Sequence, residues 1–301
     1  MSSAPIRQED DPNRPISVAN YAVALVDVLN QRQALMQWAV VTEDDKPGAE
    51  FLAKLKATVG RILDVRKMLR DYVEGFAERN LPPQDVWSTL PESMRQEYLA
   101  FSTSNLRMQS FSDTAILYAP MRAHRGEPLM KDVYGIIGGV AMLIPGLLSV
   151  GVAARGAIEI GAGTGDAFEG QIYGPCLAMA HHLESGVADY PRVVIGPHLN
   201  KYLRGFAARK PKDPWSALSW EMANEIRNSF VANDDDGRPI VDFLGPGMRQ
   251  QREAMKPFVH RAFAFVQRER DRFKRDGNKK LEDRYARLLR YFELRMASWA
   301  N

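Results

Sequence analysis

The sequence contains very little cysteine, since Cys176 is the only one among its 301 residues. A single cysteine excludes an intramolecular disulfide and any metal cluster held by several thiolates. It also fits a reducing compartment, so we expect a cytoplasmic protein. The sequence places no base beside Cys176, and we therefore expect a buried packing residue rather than a nucleophile.

A large excess of charge of one sign is also absent. The 40 basic and 37 acidic side chains give a formal net charge of +3. This balance gives no support to nucleic-acid binding, which requires a strongly basic surface. The run from Arg268 to Lys280 is locally basic, but a solvated helix end explains it more simply than a nucleic-acid site. We therefore expect no nucleic-acid partner.

The N-terminal segment lacks the apolar core of a secretory signal peptide, and we expect residues 1–18 to form a leader. Residues 133–154 carry no charge and are long enough to span a bilayer. However, this segment holds five glycines and Pro145, and it runs directly into Arg155 and a further apolar stretch. A buried helix, broken near Pro145, is therefore the prediction, and a membrane span is the alternative.

Hydrophobic periodicity predicts an α+β or mixed α/β protein with helices packed on one sheet. We expect one domain over residues 19–200 and a helical C-terminal extension over 201–301, packed on the same unit. Strands are predicted at 21–28, in a hairpin at 106–118, at 154–160 and at 192–196. Helices are predicted at 49–79, 130–150 and 174–187, over almost all of 199–301, and in a last amphipathic segment at 281–299.

The glycine-rich segment at 161–170 follows a predicted strand, as a phosphate-binding loop does. It lacks the Gly-Lys-Ser/Thr ending of a P-loop, and its glycines do not open directly into a helix. A flexible loop between sheet elements is therefore the better interpretation. His181 and His182 are adjacent, so they point about 100° apart on a helix and cannot easily bind one metal ion.

Two aspartates interrupt strand-like segments. Asp27 lies in the apolar run at 21–28, where a buried carboxylate is costly unless it is paired or bound to a metal. Asp113 lies at the predicted bend of the hairpin, where it could equally be a turn-forming residue. Two carboxylates on neighbouring strands are what Mg²⁺ with a triphosphate requires, because hard oxygen ligands and substrate phosphates complete its coordination.

Three segments together resemble class III nucleotidyl cyclases over about residues 20–200. The segment AVALVDVLN at 22–30 is similar to the first strand of that domain with its metal-binding aspartate. The segment SFSDTAILY at 110–118 is similar to the hairpin that carries the second aspartate. Residues 155–195 resemble the strand, loop, helix and strand that follow, with Tyr-Gly before the helix and Leu-Glu near its end. The resemblance implies a ferredoxin-like central antiparallel sheet with helices packed on it.

Within that superfamily, the short motifs FSD, RG, YGP, LE and YPR are most similar to those of divergent bacterial members. That group resembles the pyrimidine cyclases of Pycsar-type antiphage defence, which make cyclic UMP or cyclic CMP. The resemblance implies a UTP cyclase, with CTP as the next choice of substrate. It also implies that the cyclic nucleotide signals to a downstream effector.

In the family, the ribose 3′-hydroxyl attacks the α-phosphorus and pyrophosphate leaves. Asp27 and Asp113 match the aspartates that hold two Mg²⁺ or Mn²⁺ ions, and Val28 is a neighbouring metal-binding position. The family's site lies between two chains, so the resemblance implies a homodimer.

The positions that read the base in purine cyclases differ here. They hold lysine and aspartate in adenylyl cyclases and glutamate and cysteine in guanylyl cyclases, whereas this sequence has Gln109 and Gln171. Glutamine offers both a donor and an acceptor, so the pair is compatible with the mixed edge of uracil or cytosine.

The helix of ordinary cyclases also carries an asparagine and an arginine that act on the ribose and the transition state, whereas this sequence has Ala178 and His182. Because charge at the transferring phosphorus must be neutralised, Arg155, Arg32 or protonated His182 would have to replace that arginine. An inactive pseudocyclase that binds nucleotide as a sensor is the alternative. A membrane-associated or purely structural helical protein is the third hypothesis.

Overall fold

The structure is a computed structural model that describes residues 16–29, 48–78, 84–89, 91–124, 126–168 and 171–300. The ten strands are β1 Ala19–Val28, β2 Arg107–Phe111, β3 Thr114–Pro120, β4 Ala123–His124, β5 Glu127–Pro128, β6 Ala154–Phe168, β7 Gln171–Tyr173, β8 Val193–Ile195, β9 Val231–Asn233 and β10 Pro239–Val241 within those ranges.

The α-helices in the same part of the chain are α1 Ala49–Glu78, α2 Gln84–Thr89, α3 Glu92–Ser102, α4 Lys131–Ser149, α5 Pro175–Gly186, α6 Pro197–Ala207, α7 Pro214–Glu225, α8 Pro246–Arg249, α9 Arg252–Arg275 and α10 Lys279–Met296. A π-helical turn at Ile226–Phe230 follows α7, and a 3₁₀ turn at Ala297–Trp299 follows α10.

One eight-stranded sheet organises the molecule. Its main path runs β2-β3-β1-β6-β8-β10-β9, and β7 pairs with β6 beside that path. Strand β1 occupies a central position because its apolar run is buried on both faces, and it pairs antiparallel with β3 and with β6. The predicted α+β class is therefore confirmed. The sheet is mixed rather than purely antiparallel, because β6 and β8 run parallel.

Helix α4 forms the centre of the hydrophobic core beneath this sheet. It is the only described helix long and apolar enough to cross a bilayer, yet 78% of its apolar window is buried inside the protein. Small residues let the side chains of α1 approach closely, since a Cβ at Gly139 would lie 2.6 Å from the Tyr72 ring. The predicted break near Pro145 is wrong, because the surrounding core holds the helix continuous through the proline.

The glycine-rich segment is not a loop where the structure describes it. Strand β6 continues through it to Phe168, contrary to prediction. Its glycines serve close packing instead. A Cβ at Gly161 would lie 2.5 Å from Cε of Met179, and one at Gly163 would lie 2.5 Å from Sγ of Cys176. Cys176 itself is buried in this contact, as expected.

The C-terminal part contributes strands as well as helices. The prediction of an almost wholly helical segment is wrong at 231–233 and 239–241, where β9 and β10 form a hairpin that extends the main sheet through β8, whereas the loop predicted at 234–239 is confirmed at 234–238, between the two strands. Arg192, which is 2% exposed, anchors this hairpin by ion pairs to Asp234 and, at 2.8 Å, to Asp236. Arg287 of α10 contacts the same cluster, lying 2.7 Å from Asp189. The extension therefore shares one sheet with the N-terminal part.

Candidate functional site

Asp27 is the penultimate residue of β1 and lies between two neighbouring strands. Its Cα partners are Thr114 of β3 and Arg155 of β6. The hydroxyl group of Thr114 donates a hydrogen bond of 3.0 Å to Oδ1 of Asp27. The side chain is half-buried, so this carboxylate is held in place while part of it remains accessible.

Asp113 lies in the two-residue turn between β2 and β3, as predicted. The preceding residue, Ser112, has φ of 52°, in the left-handed region that the first position of a type II′ hairpin turn requires. The backbone N–H of Val28 donates to the carbonyl of Asp113 at 3.3 Å, while Arg66 of α1 donates to the carbonyl of Ser112 at 3.2 Å. These contacts hold the turn against the end of β1, so the two predicted aspartates are brought together.

The electrostatic environment of Asp27 is unusual for a surface carboxylate. The pKa of Asp27 is raised to about 6, mainly by burial and also by the nearby negative charges of Glu184 and Asp113, while the hydrogen bond from Thr114 and the charge of Arg155 act in the opposite direction. Two carboxylates that repel each other at a half-buried position match the hard oxygen ligands that a divalent cation prefers. The residues present therefore fit the metal that the resemblance implies.

The protein supplies only part of such a coordination sphere. Among the described residues, no group of three or more histidine, cysteine, aspartate or glutamate side chains is placed to hold a metal ion. The side chain of Val28 is a buried hydrocarbon without a donor atom, so this residue can contribute only its backbone carbonyl. Asp27 and Asp113 would thus leave coordination positions to water and to phosphate oxygens, as is usual for Mg²⁺.

Arg155 enters the site from β6, but its guanidinium group is already engaged. Its Nε atom lies 2.6 Å from Oε1 of Glu184, a buried residue near the end of α5. Its Nη1 atom donates to the carbonyl of Ala188 at 3.4 Å. Arg155 therefore lies opposite Asp27, while its charge is largely neutralised by Glu184.

A groove of about 820 Å³ begins at Thr114 and extends along the sheet to α5. The predicted base-reading residue Gln109 lines it, together with Phe111 of the same strand and Tyr173 of β7. The backbone N–H of Ile172 donates to Oε1 of Gln109 at 3.0 Å. This bond fixes β7 against β2 and, because a backbone N–H can only donate, it also fixes which end of the amide faces the groove.

Gln171 is exposed and precedes Ile172 in β7. Alternate residues of a strand share a face, so Gln171 lies on the same side as Tyr173, which lines the groove. Gln171 itself is not among the residues that line the groove, and its link to Gln109 is the bond that the next residue, Ile172, donates.

Helix α5 forms the other wall. Ala178 lines the groove, and so does His181, whereas His182 is exposed one helical turn beyond Ala178 and is not among the lining residues. Arg32 lies outside the described residues. Sequence reasoning missed Thr114 and Glu184 as site residues. Two signals could have identified them. Thr114 pairs with Asp27 across the two strands, and Glu184 belongs to the Leu-Glu motif near the end of α5.

A comparison with protein-family models finds none that matches this chain, and a comparison with curated proteins also finds no match.

Proposed function

We propose that this protein is a class III nucleotidyl cyclase that converts a pyrimidine nucleoside triphosphate, UTP before CTP, into its 3′,5′-cyclic monophosphate and pyrophosphate. The observation that carries the proposal is the meeting of Asp27 and Asp113 at the end of β1, where a groove of nucleotide size begins. Thr114, which lines the groove and hydrogen-bonds to Asp27, supports a metal-binding end beside a base-binding wall.

The order of the elements supports the proposal. Strands β1, β2, β3 and β6, with α1 and α4 between them, form a β-α-β-β-α-β succession. Within the sheet these four strands lie in the order β6, β1, β3, β2, with all neighbours antiparallel. This succession and strand order support the ferredoxin-like arrangement expected of a cyclase domain.

The chemistry follows from what the side chains can do. Asp27 and Asp113 would hold the cations, with the backbone of Val28 beside them. When bound, two Mg²⁺ or Mn²⁺ ions would activate the ribose 3′-hydroxyl and neutralise the leaving pyrophosphate. The hydroxyl group of Thr114 orients the Asp27 carboxylate, and the β2–β3 turn positions Asp113. His181 lines the groove and, when protonated, can offer positive charge to the triphosphate, whereas Arg155 is engaged by Glu184 and His182 is not among the lining residues.

The fixed amide of Gln109 favours UTP over CTP. Since its Oε1 accepts from Ile172, its Nε2 amino group is the end left to face the groove. An N–H donor matches the O4 carbonyl of uracil and is mismatched with the 4-amino group of cytosine, which is also a donor. This supports a uridylate cyclase if Gln109 contacts position 4 of the base.

A homodimer is supported by exposed apolar groups at the groove. Phe111 is 77% exposed and Tyr173 is 62% exposed, although both are large apolar or aromatic side chains. Exposed patches of this kind mark interaction surfaces, and the cyclase proposal supplies the occupant, a second copy of this chain that closes the groove. We also propose a cytoplasmic location and a role of the product as a second messenger in antiphage defence.

The second candidate function is a nucleotide sensor without turnover. Two observations favour it. Ala178 offers no polar group to the groove, and the charge of Arg155 is neutralised by Glu184. Such a protein would bind a nucleoside triphosphate but would not release pyrophosphate.

Incubation of the full chain with each of the four nucleoside triphosphates and Mn²⁺ tests both candidates. We expect one cyclic pyrimidine nucleotide and pyrophosphate, and we expect D27A and D113A to abolish turnover. D283A is the matched control, because Asp283 is exposed on α10 and pairs only with Lys279 among the described residues. Nucleotide binding without any product would support the sensor, and neither binding nor product would refute both candidates.

A further inference from the structure

Arg155 and Asp27 are directly opposed across the antiparallel β1–β6 pair. Side chains at opposed positions lie on the same face of a sheet, with Cβ atoms about 4.5–5.5 Å apart. An arginine and an aspartate in this relation would ordinarily form a cross-strand ion pair. Such a pair would neutralise the carboxylate that the metal site requires.

The structure shows a different pairing. The guanidinium of Arg155 turns to Glu184 on α5, at 2.6 Å, and its remaining contact is the carbonyl of Ala188. Asp27 instead accepts the Thr114 hydroxyl. Glu184 is 3% exposed, and within the described residues Arg155 is its only cationic partner. The buried carboxylate of Glu184 therefore pairs with Arg155 alone among the described cationic side chains.

We propose that Glu184 is a positioning residue that holds Arg155 away from the two aspartates and thereby keeps Asp27 available to a divalent cation. The inference rests on the metal site of the proposed function. Without Glu184, Arg155 would be a half-buried cation without a counter-ion, which is costly. The nearest opposed carboxylate is Asp27, so the arginine would pair with it and compete with the metal ion.

Binding of Mn²⁺ alone to the full chain, measured by titration calorimetry or by electron paramagnetic resonance, tests this role. E184Q is expected to weaken Mn²⁺ binding by about tenfold, the size usual for residues that orient metal ligands. The double variant R155M/E184Q is expected to bind within about threefold of wild type, because the competing cation is gone. A loss of structure alone would not be rescued by removing a second buried group.

E159Q is the matched control, because Glu159 is also a buried acid but lies on β6 and accepts hydrogen bonds from the backbone at the start of α6. It should leave Mn²⁺ affinity unchanged. Where E184Q does not fold, E184M replaces it in both the single and the double variant, since an apolar side chain of similar size packs without an unpaired polar group.

Wild-type Mn²⁺ affinity in the folded E184Q or E184M protein overturns the inference. Weak binding that persists in the double variant also overturns it, because Glu184 would then act through something other than Arg155. Absence of Mn²⁺ binding in the wild-type chain is a separate outcome that removes the metal site itself, and with it the proposed function.

Discussion

The hydroxyl group of Thr114 hydrogen-bonds to the carboxylate of Asp27 across the β1–β3 pair, at 3.0 Å. Thr114 directly follows Asp113, and the backbone N–H of Val28 donates to the carbonyl of Asp113. These two contacts hold both aspartates at the end of β1. Negative charge at Asp27 lowers the stability of the folded protein, because burial and like charges disfavour the ionised form of this carboxyl group. That cost can be measured.

The first prediction is that D27N stabilises the metal-free protein at pH 7.5. The pKa of Asp27 is about 6 in the folded state and 3.8 in the unfolded state, so the folded protein binds more protons between these values. The contribution of Asp27 to the free energy of unfolding is therefore most favourable below about pH 4, falls as the pH rises, and is least favourable above pH 6.

The D27N side chain would keep the acceptor for Thr114 and remove the charge. We expect a gain of about 1–2 kcal/mol at pH 7.5, allowing for partial solvent screening, and little gain at pH 4. Urea unfolding at both pH values measures the difference. D283N, at an exposed aspartate, should show no such pH-dependent gain, and an equal gain for D27N at both pH values would contradict the assignment.

The paired aspartates were predictable, but the arrangement around them was not. An apolar run ending in Asp27 and a polar bend at Asp113 are local signals, and both gave the correct elements. The engagement of Arg155 by Glu184 depends on how α5 packs on the sheet, which no local pattern reports. The sequence around Gly161 suggested a loop. The position requires glycine because Met179 of α5 packs against it, and that contact is equally invisible in the local sequence.

Outside the site, too, some elements could be predicted from the local sequence and others could not. The long helix α1 followed directly from its periodicity, whereas the strands β9 and β10 have three residues each and no recognisable alternation. They exist because pairing with β8 and the anchor at Arg192 stabilise them. The break predicted at Pro145 failed for a related reason, since core packing outweighs the local cost of a proline in α4.

The second prediction concerns the choice of base. Q109E would still accept from Ile172 through one carboxylate oxygen and would present the other oxygen to the groove. An acceptor there matches the 4-amino group of cytosine and repels O4 of uracil. We expect the ratio of kcat/KM for UTP to that for CTP to fall by at least about tenfold, because an unpaired polar group costs about 1–3 kcal/mol.

Q109L is the control for this prediction. It removes both the donor and the acceptor, so it should lower the rate with both nucleotides without reversing the preference. A Q109E protein that keeps the wild-type preference would show that Gln109 does not contact position 4 of the base.

The third prediction concerns assembly. F111D places a charge on a side chain that is 77% exposed at the mouth of the groove. If a second copy covers this surface, the charge should convert a dimer into a monomer, because burying it unpaired is costly. Sedimentation velocity measures the change. L294D is the matched control, since Leu294 is 71% exposed on α10 and is not among the groove residues. A wild-type monomer, or a dimer unaffected by F111D, would contradict this prediction.

The last prediction concerns Arg192, which anchors the β9–β10 hairpin to the rest of the sheet. Its guanidinium pairs with Asp234 and with Asp236, and it also donates to the carbonyl of Val187 at 2.9 Å. R192M would leave the Asp234 carboxylate with the Tyr190 hydroxyl, the backbone N–H of Asp235 and a distant Arg287 as its partners. We expect a loss of about 3–5 kcal/mol in the free energy of unfolding, because a buried carboxylate loses its counter-ion.

The matched control for Arg192 is Arg290 of α10, which pairs with Asp235 in the same β9–β10 turn. R290M removes an ion pair of 3.0 Å to Asp235 in which both side chains are exposed, and such pairs contribute about 0–1 kcal/mol. Urea unfolding of both variants compares the buried anchor with the exposed pair. Hydrogen exchange at Ala232 and Ile240 should rise in R192M and stay unchanged in R290M, because only the first change releases the hairpin from β8. Equal stability of the two variants would mean that strand pairing alone holds the hairpin on the sheet.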